Sequence, residues 1–359
     1  MSLRPYQSGA VQKLRTSLGQ GNKRICLYSP TGSGKTEIIV ALVQGALAKG
    51  KRVAILANRV HLCDGIIERF DRYGIEYGVL QGGNTRHLHM PVIVGSINTI
   101  DKRGLGDADL IIIDEAHRSV YQKYRAIFQY FDSFLVGLTA TPKDEIDHNT
   151  YSLFDLESGV PTDAYTLDEA VADGHLVPPK AISVPLKFQR EGIKYKDLSE
   201  EDKEQWDALE WDEDGNVPDA VDSAALNKWL FNTDTVDKVL EHLMTRGEKV
   251  AGGDRLGKTI IFAKNNAHAD FIAQRFDANY PHYKGAFARV VTYKTEYAQT
   301  LIDAFSSKDA MPHIAISVDM LDTGIDVPEV VNLVFFKIIR SKTKFWQMIG
   351  RGTRLCHDL

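Results

Sequence analysis

The run Ser29-Pro30-Thr31-Gly32-Ser33-Gly34-Lys35-Thr36 follows the apolar stretch RICLY and precedes a helical pattern over 35–49. Strand, glycine-rich turn and helix in that order make a phosphate-binding loop. Backbone amides of the turn and of the helix N-terminus converge on a phosphate, the lysine reaches its outer oxygens, and the hydroxyl after it ligates Mg²⁺. Thr31, Gly32, Ser33 and Gly34 supply the cradle, Lys35 the charge and Thr36 the metal ligand. The run departs from the common spacing only in carrying Ser29 where a glycine usually stands. Further on, Asp114-Glu115-Ala116-His117 closes the apolar run LIII. A strand ending there delivers its carboxylates to the carboxyl edge of a parallel sheet, facing such a loop. Asp114 would hold Mg²⁺ through water, and Glu115 would orient and deprotonate an attacking water. An isolated Asp-Glu pair is ordinarily a helix N-cap; paired with the loop, it reads as phosphoryl-transfer chemistry.

These residues need a scaffold, and the chain supplies a rhythm for one. Short β-rich runs at 24–28, 52–56, 91–95, 109–114 and 134–138 alternate with helical patterns such as 35–49 and 60–72. Near-continuous apolar strands with helices between them predict an α/β fold, with a parallel sheet covered on both faces. The rhythm stops after residue 142. A helical LDEAVADGHL (167–176), a strand-like AISVPL (181–186) and a run rich in acids follow, and the pattern predicts a linker with an acidic surface excursion over 146–230. Trp206, Trp211 and Trp229 sit among its carboxylates and are read as structural rather than as a base-stacking platform. Alternation returns with helices at 234–245, 267–277 and 296–306 and strands at 258–263, 288–292, 313–318 and 330–336. The expected organisation is therefore one domain over 1–145, the linker over 146–230, and a second α/β domain over 231–359.

The chain has 359 residues and a net charge of −5, with 43% hydrophobic and 25% charged residues. Disordered and collagen-like classes are excluded by that composition. No apolar run approaches the ~20 residues of a membrane span, and the N-terminus carries no secretory pattern, so no membrane partner and a cytoplasmic location are expected. Charge is segregated: +7 over residues 1–142, −14 over 143–230 and +2 over 231–359. A basic first part can meet a polyanion even within an acidic protein, because local potential steers association. Cys26, Cys63 and Cys356 share no metal-ligand spacing and are read as reduced thiols; His87 and His89 gather no four-ligand set.

SPTGSGKT, DEAH and Gly137-Leu138-Thr139-Ala140-Thr141-Pro142 resemble motifs I, II and III of superfamily 2 helicases and translocases. In the second half, Thr259 to Lys264 resembles motif IV, Val318 to Asp326 motif V, and Gln347 to Arg354 motif VI, all in family order. Leu3-Arg4-Pro5-Tyr6-Gln7 resembles the N-terminal glutamine motif. Long strings of the second half, including VADGHLVPPK, VDMLDTGIDVP and SKTKFWQMIGRGTRLC, look like the motor (R) subunits of type I restriction enzymes. In that family a nuclease domain precedes the motor and further elements follow motif VI, so the resemblance implies a motor without its nuclease.

What the resemblance implies is two RecA-like parallel-sheet domains in tandem with ATP and Mg²⁺ in the cleft. Arg4 and Gln7 would read adenine, and His117 would complete the catalytic run with Lys35, Asp114 and Glu115. Arg351 and Arg354 would be the arginine fingers that offset charge developing on the γ-phosphate. Gly324 and Asp326 would sense the nucleotide from the second domain, and Thr139, Thr141, Thr323 and Gln347 would couple hydrolysis to movement. Arg59, Ser96, Thr99, Lys264 and Thr292 occupy positions that touch nucleic acid, mainly its phosphates. The implied activity is an ATP-dependent DNA translocase or helicase, on duplex more than on single strands, with restriction–modification subunits among its partners. The same engine could serve an RNA helicase, which the motif residues do not separate from a DNA motor. A non-enzymatic nucleic-acid clamp would need neither Glu115 nor Arg351. No PD followed by ExK on a strand pair suggests a nuclease.

Overall fold

The computed structural model describes residues 3–57, 60–97, 99, 106–114, 132–140, 151–152, 154–182, 193–194, 220–221, 232–321, 327, 329–337, 339 and 342–356. They divide into two units, Met1–Pro178 with Ser341–Thr353, and Pro179–Arg340 with Arg354–Leu359.

The first unit is organised by its apolar runs. β1 (Arg24–Tyr28), β2 (Val53–Ala57), β3 (Gly78–Leu80), β4 (Thr85–Arg86), β5 (Val92–Ser96), β6 (Leu110–Asp114), β7 (Phe134–Thr139) and β8 (Asp163–Ala164) lie in the order β4-β3-β5-β2-β6-β7-β1-β8. All neighbours run parallel except β4, which is antiparallel to β3. Every residue of β2 and of β5 is buried, as a parallel sheet covered on both faces requires. Alternate side chains serve two cores. Ile25, Leu27, Ile55, Val94 and Ile112 pack with α1 (Pro5–Gly19), α2 (Lys35–Leu47) and α3 (Val60–Tyr73). Cys26, Leu56, Ile93, Ile111 and Leu135 face the other way and pack with Phe154. Burial pushes the Cys26 and Cys63 thiols up to about 12, so both stay protonated.

Part of the stretch expected to be linker belongs to this unit. Phe154 fills the second core so closely that a Cβ on Gly137 would lie 2.4 Å from its Cζ. β8 pairs with the outer edge of β1, Leu27 opposite Asp163 and Tyr28 opposite Ala164. α4 (Leu167–Ala172) follows, started by a reciprocal cap in which Glu169 N donates to Thr166 Oγ1 at 3.2 Å and Thr166 N donates to Glu169 Oε2 at 2.6 Å. A two-residue strand carries no readable period, but β1 leaves backbone groups on its free edge that need a partner. Residues 183–192, 195–219 and 222–231, including the three tryptophans, lie outside the described residues. Between them, β9 (Ile193–Lys194) and β10 (Ala220–Val221) pair antiparallel.

In the second unit, β13 (Lys258–Ala263), β14 (Ala288–Val290), β15 (Ile314–Ser317) and β16 (Val330–Phe336) form a parallel sheet in the order β14-β15-β13-β16, preceded by a small antiparallel pair, β11 (Lys249–Val250) and β12 (Arg255–Leu256). α5 (Thr233–Arg246) and α6 (Asn266–Asn279) are capped by Asn232 and Asn265, which accept from Thr235 N at 2.9 Å and His268 N at 2.8 Å. Arg275 on α6 grips Asp237 on α5 with two hydrogen bonds, at 2.9 and 2.5 Å. α7 (Ala298–Ser306) adds Phe305 to the buried residues. The fold class is α/β, as the alternation predicts. α8 (Lys342–Ile349) and the residues to Thr353 group with the first unit, whereas the sequence reading assigns them to the second domain.

Candidate nucleotide and nucleic-acid site

The phosphate loop leaves the carboxyl end of β1, where Ser29 N donates to Thr139 O of β7 at 2.9 Å. Ser33 N returns to Pro30 O at 3.2 Å and closes the turn. Gly32 and Gly34 hold φ of +85° and +79°, in the left-handed region that a side chain disfavours. Gly34 is also the N-cap of α2, and its carbonyl accepts from Glu37 N at 3.0 Å, so the helix begins with its first amides turned toward the loop. Ser29 explains itself here: its hydroxyl lies 2.6 Å from that of Ser33, and Ser33 Oγ donates to Pro30 O at 2.6 Å, a buried clamp across the loop that a glycine could not make. Lys35 Nζ folds back onto the loop and donates to the carbonyls of Ser29 at 3.0 Å and Pro30 at 3.2 Å.

α1 is fastened to the same loop. Gln7 is buried; its Oε1 accepts from Arg4 N at 2.9 Å, and its Nε2 donates to the carbonyls of Ser33 at 3.1 Å and Gly34 at 3.3 Å. Tyr6 donates its hydroxyl to the Ser33 carbonyl as well. The fit is close enough that a Cβ on Gly34 would meet Gln7 Nε2 at 2.6 Å.

The sheet register brings the acidic candidate to the loop's edge. Asp114 ends β6 opposite Leu138, and Thr139, the next residue of β7, stands opposite Tyr28 at the end of β1. Three adjacent strands thus terminate together, carrying Asp114, Thr139 and the phosphate loop on one edge. Gly350 and Arg351, which follow α8, belong to this unit. A Cβ on Gly350 would lie 2.3 Å from Thr31 Cβ, so the backbone at Gly350 rests directly on the loop. Gln347 and Arg351 are buried, and Thr353 O accepts from Val177 N at 2.8 Å.

The residues expected to touch nucleic acid are placed differently from one another. Ser96 and Thr99 are buried, as is Thr292, whose amide donates to Thr295 Oγ1 at 3.0 Å. Lys264 is exposed beyond β13, with its amide donating to His268 Nδ1 at 3.2 Å. Arg354 is half-buried and groups with the second unit. Arg59, Glu115, His117, Thr141, Thr323, Gly324 and Asp326 lie outside the described residues. Sequence reasoning assigned no role to Tyr6, although it stands inside the glutamine motif, and missed Tyr165 entirely. Nothing in the local pattern around Tyr165 announces that its ring stacks on that of Tyr6, with centroids 4.0 Å apart.

Comparison with known proteins agrees with this architecture. Residues 1–144 match the family of the type III restriction enzyme res subunit, and residues 236–356 match the helicase conserved C-terminal domain. Among curated proteins, the endonuclease subunits of the Escherichia coli type I restriction enzymes EcoKI and EcoAI are 27% and 28% identical over 100% and 99% of the chain. The chain spans 34% and 44% of their lengths. Among solved structures, a fragment of a type I restriction enzyme HsdR subunit from Vibrio vulnificus YJ016 superimposes with a TM-score of 0.73 at 26% identity, covering 99% of this chain and 61% of that one. The chain thus carries a res-subunit domain followed by a helicase conserved C-terminal domain, the domain pair of superfamily 2, and it is homologous to the HsdR subunits of type I restriction enzymes.

Proposed function

We propose that this chain is a DNA-dependent ATPase that uses hydrolysis to translocate along duplex DNA. The observation that carries the reading is the shared edge of β1, β7 and β6, where the phosphate loop, Thr139 and Asp114 end side by side. These residues fit a polyphosphate and its cation. Two left-handed glycines let the loop turn tightly around a phosphate, the start of α2 adds the positive end of its dipole, and Lys35 can exchange the carbonyls of Ser29 and Pro30 for phosphate oxygens. ATP supplies a phosphoanhydride whose cleavage drives movement, with Mg²⁺ as counter-charge. Thr31, Gly32, Ser33, Gly34 and Lys35 would bind the phosphates, Thr36 and Asp114 would hold Mg²⁺, and Arg4 and Gln7 would read the base.

Glu115 takes the proton of the attacking water and His117 completes the catalytic run, while Arg351 and Arg354 offset charge on the transferred group. Gly324 and Asp326 report on the nucleotide. Thr139, Thr141, Thr323 and Gln347 pass the change to the DNA side, where Arg59 and the exposed Lys264 hold the backbone and the buried Ser96, Thr99 and Thr292 brace the chain behind them. Restriction–modification subunits are the partners this reading implies, and the cytoplasm is its location; among the described residues no helix is long and apolar enough to cross a membrane.

The test is phosphate release with duplex DNA, single-stranded DNA and RNA, alongside displacement of a third strand from a triplex. Duplex-stimulated hydrolysis and displacement, both lost in Lys35→Ala, are expected. Stimulation by RNA alone would replace this reading with an RNA helicase, and no hydrolysis with any polymer would make the protein a clamp.

A further inference from the structure

A phosphate loop works only if its peptide planes face the right way. In a planar trans peptide the carbonyl of one residue and the N–H of the next point in opposite directions. Whatever holds the Ser33 carbonyl therefore aims the Gly34 amide to the other side, and whatever holds the Gly34 carbonyl aims the Lys35 amide. Gln7 Nε2 reaches both carbonyls, at 3.1 and 3.3 Å, and the Tyr6 hydroxyl reaches that of Ser33. Gln7 is buried and braced by Arg4, but Tyr6 is only half-buried at the second position of α1, where helix geometry alone does not fix its ring.

Its ring is fixed from elsewhere. Tyr165 stacks on it with centroids 4.0 Å apart and planes 8° from parallel, and His175 stands 5.2 Å away at a tilt. Tyr165 is itself held on three sides. Its amide donates to Tyr28 O at 3.0 Å as it leaves β8, its hydroxyl donates to Asp173 Oδ2 at 2.9 Å, and Ala170 and Leu176 enclose it. Lys13 of α1 also pairs with Asp163 of β8 at 2.7 Å, so the two elements carrying the rings are tied a second time. We propose that Tyr165 is a positioning residue for the phosphate loop: its ring orients Tyr6, whose hydroxyl holds the Ser33 carbonyl and so aims the Gly34 amide at phosphate. The proposal rests on the reading above that this loop binds ATP. It gives the short strand after β7 a task in nucleotide binding beyond closing the sheet.

Each link has a substitution that removes it alone. Tyr6→Phe keeps the ring and loses the hydroxyl; Tyr165→Phe keeps the ring and loses the bond to Asp173; Tyr165→Met refills the space with a flexible side chain but offers no ring. The affinity of the full chain for a fluorescent ADP analogue with Mg²⁺ is measured for each, with thermal midpoints alongside. Aromatic pairing of this geometry is worth about a two- to tenfold change in an equilibrium constant. Tyr6→Phe and Tyr165→Met are each expected to raise Kd by about that factor, Tyr165→Phe is expected to bind like the parent, and Tyr6→Phe/Tyr165→Met is expected to be no worse than the weaker single variant, because both break one chain of contacts. Additive losses would mean that Tyr165 acts on the fold and not through Tyr6. Parental affinity in Tyr165→Met, or in Tyr6→Phe should Tyr165→Met fail to fold, would overturn the proposal. A parent that does not bind the analogue, or binds it no better than Lys35→Ala, would instead remove the ATP reading beneath it.

Discussion

Gly350→Ala introduces one methyl group where there is no room for it. Its Cβ would stand 2.3 Å from Thr31 Cβ, 2.9 Å from Thr31 Oγ1 and 3.0 Å from Thr31 Cγ2. Carbon atoms in favourable contact sit about 3.5–4.0 Å apart. Thr31 is in the phosphate loop itself and Arg351 is the next residue, so relief must come from moving the loop and the arginine apart by on the order of 1 Å. A misplacement of that size at a reacting centre costs on the order of 10²-fold in rate. Gly350 is not in the left-handed region, so alanine adds no backbone strain and the fold is expected to survive. Steady-state phosphate release with saturating duplex DNA should show kcat lowered by on the order of 10²-fold in Gly350→Ala, with a thermal midpoint close to the parent's. Thr31→Gly in the same chain removes all three opposing atoms and should recover part of the loss. Parental turnover in Gly350→Ala would refute the argument, and so would a loss that Thr31→Gly deepens additively.

Lys35→Ala should abolish nucleotide binding, whereas Glu115→Gln should keep ATP affinity and lose turnover, as equilibrium binding beside kcat will show. Arg351→Ala should lower kcat strongly with little change in ATP Kd, since a finger acts on the transition state; a parental kcat removes it from that role. Gly137→Ala, with its Cβ 2.4 Å from Phe154 Cζ, should overpack the second core and cost about 1–3 kcal/mol in denaturant unfolding, while Gly137→Ala/Phe154→Leu should regain part of it. His313 is buried in the second unit, and burial together with the nearby Lys258 and Arg255 cations pulls its imidazole down to about 4. Between about 6.5 and 4 the unfolded chain takes up a proton that the folded one refuses, so stability should fall with pH across that window by up to ~3 kcal/mol, and His313→Gln should flatten the slope of Tm against pH.

The long parallel strands were legible because burial on both faces leaves a continuous apolar word: RICLY and KTIIFA run over the same residues in sequence and structure, and so does VVNLVFF, although β16 is only partly buried. β3, β4 and β8 were not, being two or three residues long with no period to read. The helix expected over 167–176 stops at Ala172, because Gly174 turns the chain at φ +68°. At the site, the loop was readable since each residue type has one physical task there. Ser29 looked like a departure until Ser33 was seen across from it. The Tyr6–Tyr165 stack had no local signature, because its partners are brought together by the pairing of β8 with β1 rather than by spacing.

The first unit's sheet also ends, among the described residues, in two-residue strands on both sides, β4 beyond β3 and β8 beyond β1. An unpaired strand edge is a template for another chain, and short terminal strands are a way of blunting it. β1 is the vulnerable one: five residues, four of them buried, with no proline and no inward charge. A nucleotide-binding fragment cut at residue 142 would keep the phosphate loop but strip β8 and Phe154 together, baring both the backbone of Leu27 and Tyr28 and the apolar face around Cys26. Its fate in solution would be strand-to-strand association, so the stretch after β7 protects the first unit from its own kind as much as it completes the fold.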